Sequence, residues 1–486
     1  MDDAIENYLI AQLANNPIII NSILEDTRCE GNYRYVFNEI TQIIDNFIQG
    51  DLSSRYLVLP GLRGTGKTTL MYQIYQYLIN EKKVPHDEVL FIDAENLMAR
   101  MSLNLDNVLN YFIDYFHDAH PVLNKKIFLL VDKTQYDPNW EKTAKLIFNS
   151  HTKVFMIFTG SSALELEISA DSARRGDKIP VDPLNFKEYL DLKYGFKSPD
   201  DIGETLLSLI LSGPNDDLLA KAQDLEREIH KNFHSLPRLS DKEWEHYVRY
   251  SGFPYEFDLR TELSESRTDE LIRRVVMNDV DIVHSTRFSS KVIASYILQI
   301  IASQKPGEIA QNKIREIINA KDDLNTTNKT VSQLLDTLVK TKLIFDIKPY
   351  GSQLKSMKRP WKYYFLHPSL KHALWKGTNI AIRDKKQILG ILAENLVASL
   401  LYIANDRKKL FEIYYDPEKG GVDFLLNTFD SIIPVEVGIG EKNLKQVKKA
   451  MARYNSEYGV FVSNRTKTIQ LEENIICIPL KTFSFI

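Results

Sequence analysis

Cysteine is scarce. Cys29 and Cys477 are the only two among 486 residues. Two thiols at opposite ends of a chain build neither a Cys-rich zinc site nor a disulfide framework. They read as reduced thiols. Charge of one sign is also lacking: 61 Lys and Arg stand against 65 Asp and Glu, for a net charge of -4. A generic polyanion binder is thereby excluded, and nucleic-acid contact requires a local basic patch. No uninterrupted apolar run approaches the roughly 20 residues of a membrane span. The N-terminus, MDDAIENYLI, is acidic where a signal peptide is basic. These absences predict a cytoplasmic chain with no membrane partner.

What is present is an ordinary globular balance, 44% hydrophobic and 26% charged. The length implies roughly three or four domains. The first 55 residues read as mostly helical, with Val36, Ile40, Ile43, Ile44 and Phe47 on one helical face. Short apolar strands then alternate with helices: 56–59, 89–92, 127–131 and 154–158. This alternation predicts a mostly parallel sheet with right-handed crossovers. From about 185 the strands stop and helices follow. Residues 289–347 read as three helices and then a hairpin, the order of a winged helix-turn-helix. The last hundred residues open with a helix and continue as short strands around a second helix, a small α/β domain.

The strongest motif is GLRGTGKT, which fits G-x-x-x-x-G-K-[ST] at Gly61, Gly66, Lys67 and Thr68. A strand precedes it and a helix follows. Glycines let main-chain N–H groups wrap phosphates, and the helix N-terminus favours negative charge. Lys67 is expected on the β- and γ-phosphates of ATP. Thr68 is expected on Mg2+. Arg63, Gly64, Thr65 and Thr69 complete the cofactor-binding loop. The apolar strand IFLLVD ends in Asp132, which is expected to hold Mg2+ through water. The next residue is Lys133, where ATP-hydrolysing relatives of such loops carry Glu. An ammonium is a poor base and repels a metal ion. Three readings follow. The chain binds ATP and turns it over slowly; or another carboxylate acts, Glu95 with Asp93 behind it; or Lys133 points away and a partner completes the site. Glu95 reads equally as a solvated loop residue.

The next strand ends in FTGSS. Ser161 or Ser162 at its tip is placed to sense the γ-phosphate, or else to cap the turn. Arg174 and Arg175 are candidates for stabilising phosphate charge. They would act within one chain or across the interface of a homo-oligomer.

The hairpin loop KPYGSQLKSMKRPWKYYF has no acidic residue. Lys348, Lys355, Lys358, Arg359 and Lys362 are candidate DNA phosphate contacts, with Tyr350 and Trp361 among them. Lys329, Lys340 and Lys342 lie on or beside the helix before it. The bland alternative is a packing module. In the last block, Glu394 lies on the opening helix, Asp423 in GGVDFLL and Glu436 in IPVEVG. Clustered carboxylates repel unless a cation joins them, and hard oxygens select Mg2+ or Mn2+. Such a metal activates water for phosphodiester cleavage.

GLRGTGKTT, VDKTQYDPNW, FTGSSALEL, the Arg174–Arg175 pair, IPVDPLNFKEYL and SGFP together resemble the archaeal-type AAA+ ATPases of the STAND-like branch. Those proteins carry a winged helix and a C-terminal restriction-endonuclease-like domain. The resemblance implies an α/β architecture. Residues 1–183 would form the P-loop ATPase domain and 184–286 a helical lid. Residues 287–375 would form a winged helix and 376–486 a domain similar to the PD-(D/E)xK nucleases. It implies ATP and Mg2+ as cofactors and DNA as partner. The family pattern has Asp-Glu where this chain has Asp132-Lys133. The nuclease pattern wants a Lys where Gly438 stands, so Lys442 becomes the displaced candidate. Gln446 and Tyr454 are candidate DNA-backbone contacts. The leading expectation is a P-loop ATPase coupling nucleotide state to DNA binding or cleavage. The alternative is an ATP-bound switch or scaffold whose nuclease fold no longer cuts.

Overall fold

The computed structural model describes residues 2–26, 33–117, 123–161, 176–257, 260–280, 288–303, 308–321, 325–351, 359–375, 385–440 and 443–486. The chain divides into two compact units, Met1–Asp182 and Pro183–Ile486.

The first unit is built on five parallel strands: β1 (Tyr56–Pro60), β2 (Val89–Asp93), β3 (Ile127–Asp132), β4 (Val154–Gly160) and β5 (Asp177–Lys178). Their order is β2-β3-β4-β1-β5. The apolar run in β3 is explained by cover on both faces. Side chains alternate along a strand. Ile127, Leu129 and Val131 therefore enter one core with Leu105, Trp140 and Ile147. Phe128 and Leu130 enter the other with Ile40, Ile44, Leu70 and Ile74. Burying each such side chain contributes about 1.5–3 kcal/mol. Helix Tyr35–Gln49 buries Val36, Ile40, Ile44 and Phe47 of its predicted stripe and leaves Ile43 partly buried, and helix Lys67–Gln76 buries Leu70 and Ile74. β2 is the sheet edge, and an open edge invites pairing with other chains. Helix Asp2–Asp26 covers it. It contributes Leu9 to one core and Leu24 to the other, and Asn16 Nδ2 donates to Phe91 O at 3.0 Å.

The second unit begins with helices, including Phe186–Tyr194, Ile202–Ser212, Asp216–Asn232 and Ser240–Tyr250. Asn185 caps the first through Glu188 N at 2.8 Å, worth about 1 kcal/mol. The chain's last residues return to these helices. Phe186 N donates to Ser484 O, and Asn185 Nδ2 donates to Ile486 O at 3.1 Å. Trp244 Nε1 donates to Ser484 Oγ at 2.8 Å. Glu226 is buried and accepts from Thr482 Oγ1 and Ile469 N. Burial pushes its carboxyl up, against the pull of those two donors. The segment expected as a lid is thus sewn to the C-terminal block.

Next come helix Phe288–Ser303, strand β6 (Glu308–Ile309), helices Gln311–Lys321 and Asn328–Lys340, and the hairpin β7 (Ile344–Pro349) and β8 (Trp361–Phe365). β8 pairs antiparallel with both β7 and β6. The remaining strands are β9 (Glu412–Tyr415), β10 (Phe424–Asn427), β11 (Ile432–Gly438), β12 (Gly459–Ser463), β13 (Gln470–Glu472) and β14 (Ile475–Pro479). β9 joins β7 through Lys348↔Tyr414 and Pro349↔Tyr415, giving one nine-stranded sheet that crosses the expected boundary near 375. The segment Gln387–Lys408 is long and apolar enough to cross a membrane, but 56% of its apolar window is buried in the fold. Its Asn395 brackets the Phe365 main chain, accepting from N at 3.1 Å and donating to O at 2.7 Å.

His367 lies in the core of this unit. A Cβ on Gly252, in the SGFP motif, would sit 2.4 Å from its ring, so the glycine there makes room for the imidazole. Burial pushes the His367 pKa down to about 3. The unfolded chain therefore takes up a proton near pH 6.5 that the folded chain refuses until about 3. Stability present above 6.5 is lost as pH falls through that window, at about 1.4 kcal/mol per pH unit. Thermal melts between pH 7 and 4 are expected to show a shallower loss for His367→Phe than for the wild type. Equal slopes would show that the imidazole ring is accessible to protons.

Candidate functional site

The loop after β1 adopts the shape its glycines permit. Gly64 and Gly66 have φ of 81° and 89°, in the left-handed region. Gly61 is needed for a different reason: a Cβ there would lie 2.4 Å from Val181 O. Thr65 Oγ1 donates to Leu62 O, and Arg34 Nη1 donates to Thr65 O at 2.7 Å. Lys67 and Thr68 then open the helix, with Thr69 next on its first turn. Lys67 Nζ donates to Gly61 O at 2.7 Å and Leu62 O at 2.9 Å. Its ammonium is held over the loop that would cradle phosphates.

Asp132 ends β3 and is buried. A buried carboxylate needs donors, and three are supplied. Thr68 Oγ1 donates to Oδ2 at 2.6 Å. Lys133 N donates to Oδ1 at 3.0 Å, and Thr159 Oγ1 donates to the same oxygen. The Thr68 hydroxyl and Asp132 carboxylate are hard oxygens side by side at the mouth of the loop, the donor chemistry Mg2+ takes. Thr159 was missed by sequence reasoning, which looked two residues further along FTGSS. Its signal lies in the parallel register of β3 and β4, which pairs Val131 with Phe158. Ser161 is buried at the end of β4, and its N–H donates to Gln135 Oε1 at 3.3 Å. Ser162, Arg174 and Arg175 lie outside the described residues.

Lys133 adopts a left-handed backbone, φ 58°, which costs a residue with a Cβ about 1–2 kcal/mol. The turn sends its ammonium to the neighbouring strand end. Nζ lies 3.0 Å from Asp93 Oδ2 and 2.7 Å from Glu95 Oε2. Burial disfavours the charged lysine, but the bonds to Glu95 and Asp93 outweigh this and hold its pKa above the usual lysine value. Burial pushes the Glu95 carboxyl up, and Lys133 more than offsets it, so the group titrates below its usual range. The other oxygen of Asp93 accepts from Asn96 N.

The C-terminal carboxylates are placed differently from expectation. Asp423 and Glu436 do meet where β10 and β11 pair. Val437 N donates to Asp423 Oδ2 at 2.9 Å, and Asp423 N donates to Glu436 Oε2 at 3.2 Å. Glu394 instead accepts from Tyr364 Oη at 2.9 Å. Among the described residues no three His, Cys, Asp or Glu side chains gather as a metal site. The expected metal triad Glu394–Asp423–Glu436 is therefore not assembled. Lys442 lies outside the described residues. Gln446 and Tyr454 are engaged internally, with Gly421 O and Asp416 Oδ1.

In the hairpin, Lys348 lies over the Trp361 ring at 4.9 Å and Lys362 over Tyr415 at 5.1 Å. Arg359 Nη1 donates to Pro417 O. Lys355 and Lys358 lie outside the described residues. Lys342 is nearly buried against Asp406 at 3.0 Å, while Lys329 and Lys340 are exposed.

Comparison with known proteins bears on the first unit. Residues 53–190 match the family described as AAA domain, and residues 241–382 match a domain of unknown function, DUF8612. Over its full length the chain is similar to the uncharacterized protein MJ1637 of Methanocaldococcus jannaschii, 29% identical across 99% of this chain and 93% of that one. An uncharacterized protein of Haemophilus influenzae is 24% identical across 67% of this chain and 71% of its own. Among solved structures, the Walker-type ATPase PABY2304 of Pyrococcus abyssi aligns at TM-score 0.40 with 14% identity, over 69% of this chain and 95% of that one. The chain carries an AAA-type P-loop domain.

Thr159→Val removes a hydroxyl from a buried carboxylate and leaves it a donor short, at a cost of about 1–3 kcal/mol. The expected outcome is a lower melting temperature together with weaker Mg2+-dependent binding of a fluorescent ATP analogue. Unchanged binding would show that Thr159 serves only the strand ends.

Proposed function

We propose that this chain binds ATP with Mg2+ at the loop Gly61–Thr68, hydrolyses it, and couples nucleotide state to DNA contact by its second unit. The observation that carries the reading is the Thr68–Asp132 hydrogen bond at 2.6 Å, beside the Lys67 ammonium. Main-chain N–H groups of the loop receive the phosphates, with Arg63, Gly64, Thr65, Gly66 and Thr69 shaping their path. Lys67 moves from the Gly61 and Leu62 carbonyls to the β- and γ-phosphates, exchanging neutral acceptors for anionic ones. Thr68 would ligate Mg2+ and Asp132 would hold it through water, and the metal would supply neutralisation of phosphate charge. Ser161 faces the γ-phosphate, and Arg174 and Arg175 supply further positive charge. Glu95, two residues past the end of β2, orients the attacking water. The water oxygen bonds the γ-phosphorus and the bond to the bridging oxygen breaks. ADP and inorganic phosphate leave, and the water's proton passes to the carboxylate.

The order helix, strand, helix, helix, hairpin supports reading residues 287–375 as a winged helix. Its basic hairpin, Lys348 to Lys362, is the proposed DNA contact. Two of those lysines lie over aromatic rings, Lys348 over Trp361 and Lys362 over Tyr415. Among the described residues the carboxylates of the last block do not gather as a three-ligand metal site, and that block, similar to a nuclease fold, serves binding and not cutting. The alternative of an ATP-bound switch without turnover is favoured by one observation, the Lys133–Glu95 pair at 2.7 Å.

Lys67→Ala is expected to abolish binding of a fluorescent ATP analogue while leaving the melting temperature of the free protein unchanged; retained binding overturns the nucleotide reading. DNA affinity of the wild type is expected to fall steeply with salt, with a slope of about 0.9 per phosphate contact on a log–log plot. Substituting Lys348, Arg359 and Lys362 together by Ala should reduce that slope by about 3. An unchanged slope moves the reading to a protein partner.

A further inference from the structure

Lys133 follows the metal-side aspartate at the position from which a carboxylate would face the attacking water. Its side chain is turned instead onto Glu95 and Asp93, through a left-handed backbone that few residues with a Cβ adopt. β2 and β3 pair Asp93 with Asp132, so the ammonium reaches across one strand spacing to clamp the end of the next strand. Glu95 Oε2 accepts from Lys133 at 2.7 Å, and Tyr136 also hydrogen-bonds the same carboxylate. Glu95 is therefore engaged at both its charge and its hydrogen-bonding capacity.

We propose that the Lys133–Glu95–Asp93 contact is a latch on ATP turnover, holding back the carboxylate that hydrolysis needs until the ammonium is displaced. The proposal rests on the reading of Glu95 as the group that orients water and accepts its proton. Both ends of the latch suit opening. The Lys133 side chain is 35% exposed and that of Glu95 42%. The pair can separate into solvent without opening a cavity, unlike a fully buried ion pair, whose separation strands a charge. Asp93 limits how far Lys133 moves. It keeps one oxygen on Asn96 N and offers the other to the ammonium, so an open Lys133 retains a carboxylate partner while Glu95 is released. Lys133 is thus a restraining residue that acts through Glu95, distinct from Lys67, whose ammonium sits on the loop carbonyls.

The test uses the full chain and the variants Lys133→Met, Lys133→Arg, Glu95→Gln and Lys133→Met with Glu95→Gln. Three quantities are measured: ATP hydrolysis at saturating Mg2+ and ATP, affinity for a fluorescent ATP analogue, and the melting temperature without nucleotide. Lys133→Met is expected to raise turnover about tenfold or more, within the range a released general base supplies, with affinity unchanged. Lys133→Arg keeps the wild-type rate. The double variant falls back to the rate of Glu95→Gln, and the melting shifts of the two single substitutions do not add. A Lys133→Met rate at or below wild type, with nucleotide binding intact and wild-type turnover measurable, overturns the latch alone. If every chain binds ATP and none hydrolyses it, the latch and the role of Glu95 fall together while nucleotide binding stands. If the wild type does not bind ATP, the nucleotide reading fails as well.

Discussion

The first unit is organised around a buried negative charge. Asp132 sits at the end of a strand whose other residues are all apolar, so its carboxylate is stable only with donors on every accessible oxygen. The P-loop helix supplies one in Thr68, the next strand supplies Thr159, and the turn supplies the Lys133 N–H. These three donors tie the loop, β3 and β4 to a common point. The same carboxylate is therefore what joins these elements. Parallel strands leave their carboxyl ends open to ligands, and here that end faces the helix N-terminus that favours phosphate.

Lys133 introduces the opposite charge one residue later. Two ammonium groups then stand near one phosphate-binding loop, and each is satisfied separately. Lys67 rests on main-chain carbonyls and Lys133 rests on two carboxylates. The arrangement keeps the second ammonium off the Asp132 carboxylate, where it would compete with a metal ion. The left-handed turn at Lys133 is what directs the ammonium to Asp93 and Glu95.

The second unit depends on contacts between residues far apart in sequence. Glu226 holds Thr482 and Ile469, Trp244 holds Ser484, and Asn395 holds Phe365. The hairpin strand β7 continues into the last sheet through β9. One consequence is chemical. Strand β8 brings Tyr364 to Glu394, and the hydroxyl donates to a carboxylate that chain order alone grouped with Asp423 and Glu436. Side-chain order along a chain says nothing of which neighbour from another element arrives first.

Much of the first unit was legible beforehand. The alternation of apolar strands with amphipathic helices, the glycine spacing of the loop, and the Asp at the end of IFLLVD are local properties, dictated by strand and helix periods and by the φ angles glycine permits. The departure at Lys133 was legible too, as a residue type in the wrong place. Its partner was not, because Glu95 was one of several carboxylates and only the parallel register of β2 with β3 selects it. Thr159 was invisible for the same reason. In the second unit most of the longer elements were readable, short ones such as β6 and β13 were not, and neither was the assembly. The amino-acid sequence by itself determined the strands, the helices and the phosphate loop, since each follows from spacing and backbone preference within a few residues. Only the tertiary structure decided which donors satisfy Asp132, where the Lys133 ammonium goes, and that Glu394 meets a tyrosine. Those outcomes depend on strand register and on contacts reaching up to 64 residues along the chain, where the burial of charge selects among partners that local pattern leaves equivalent.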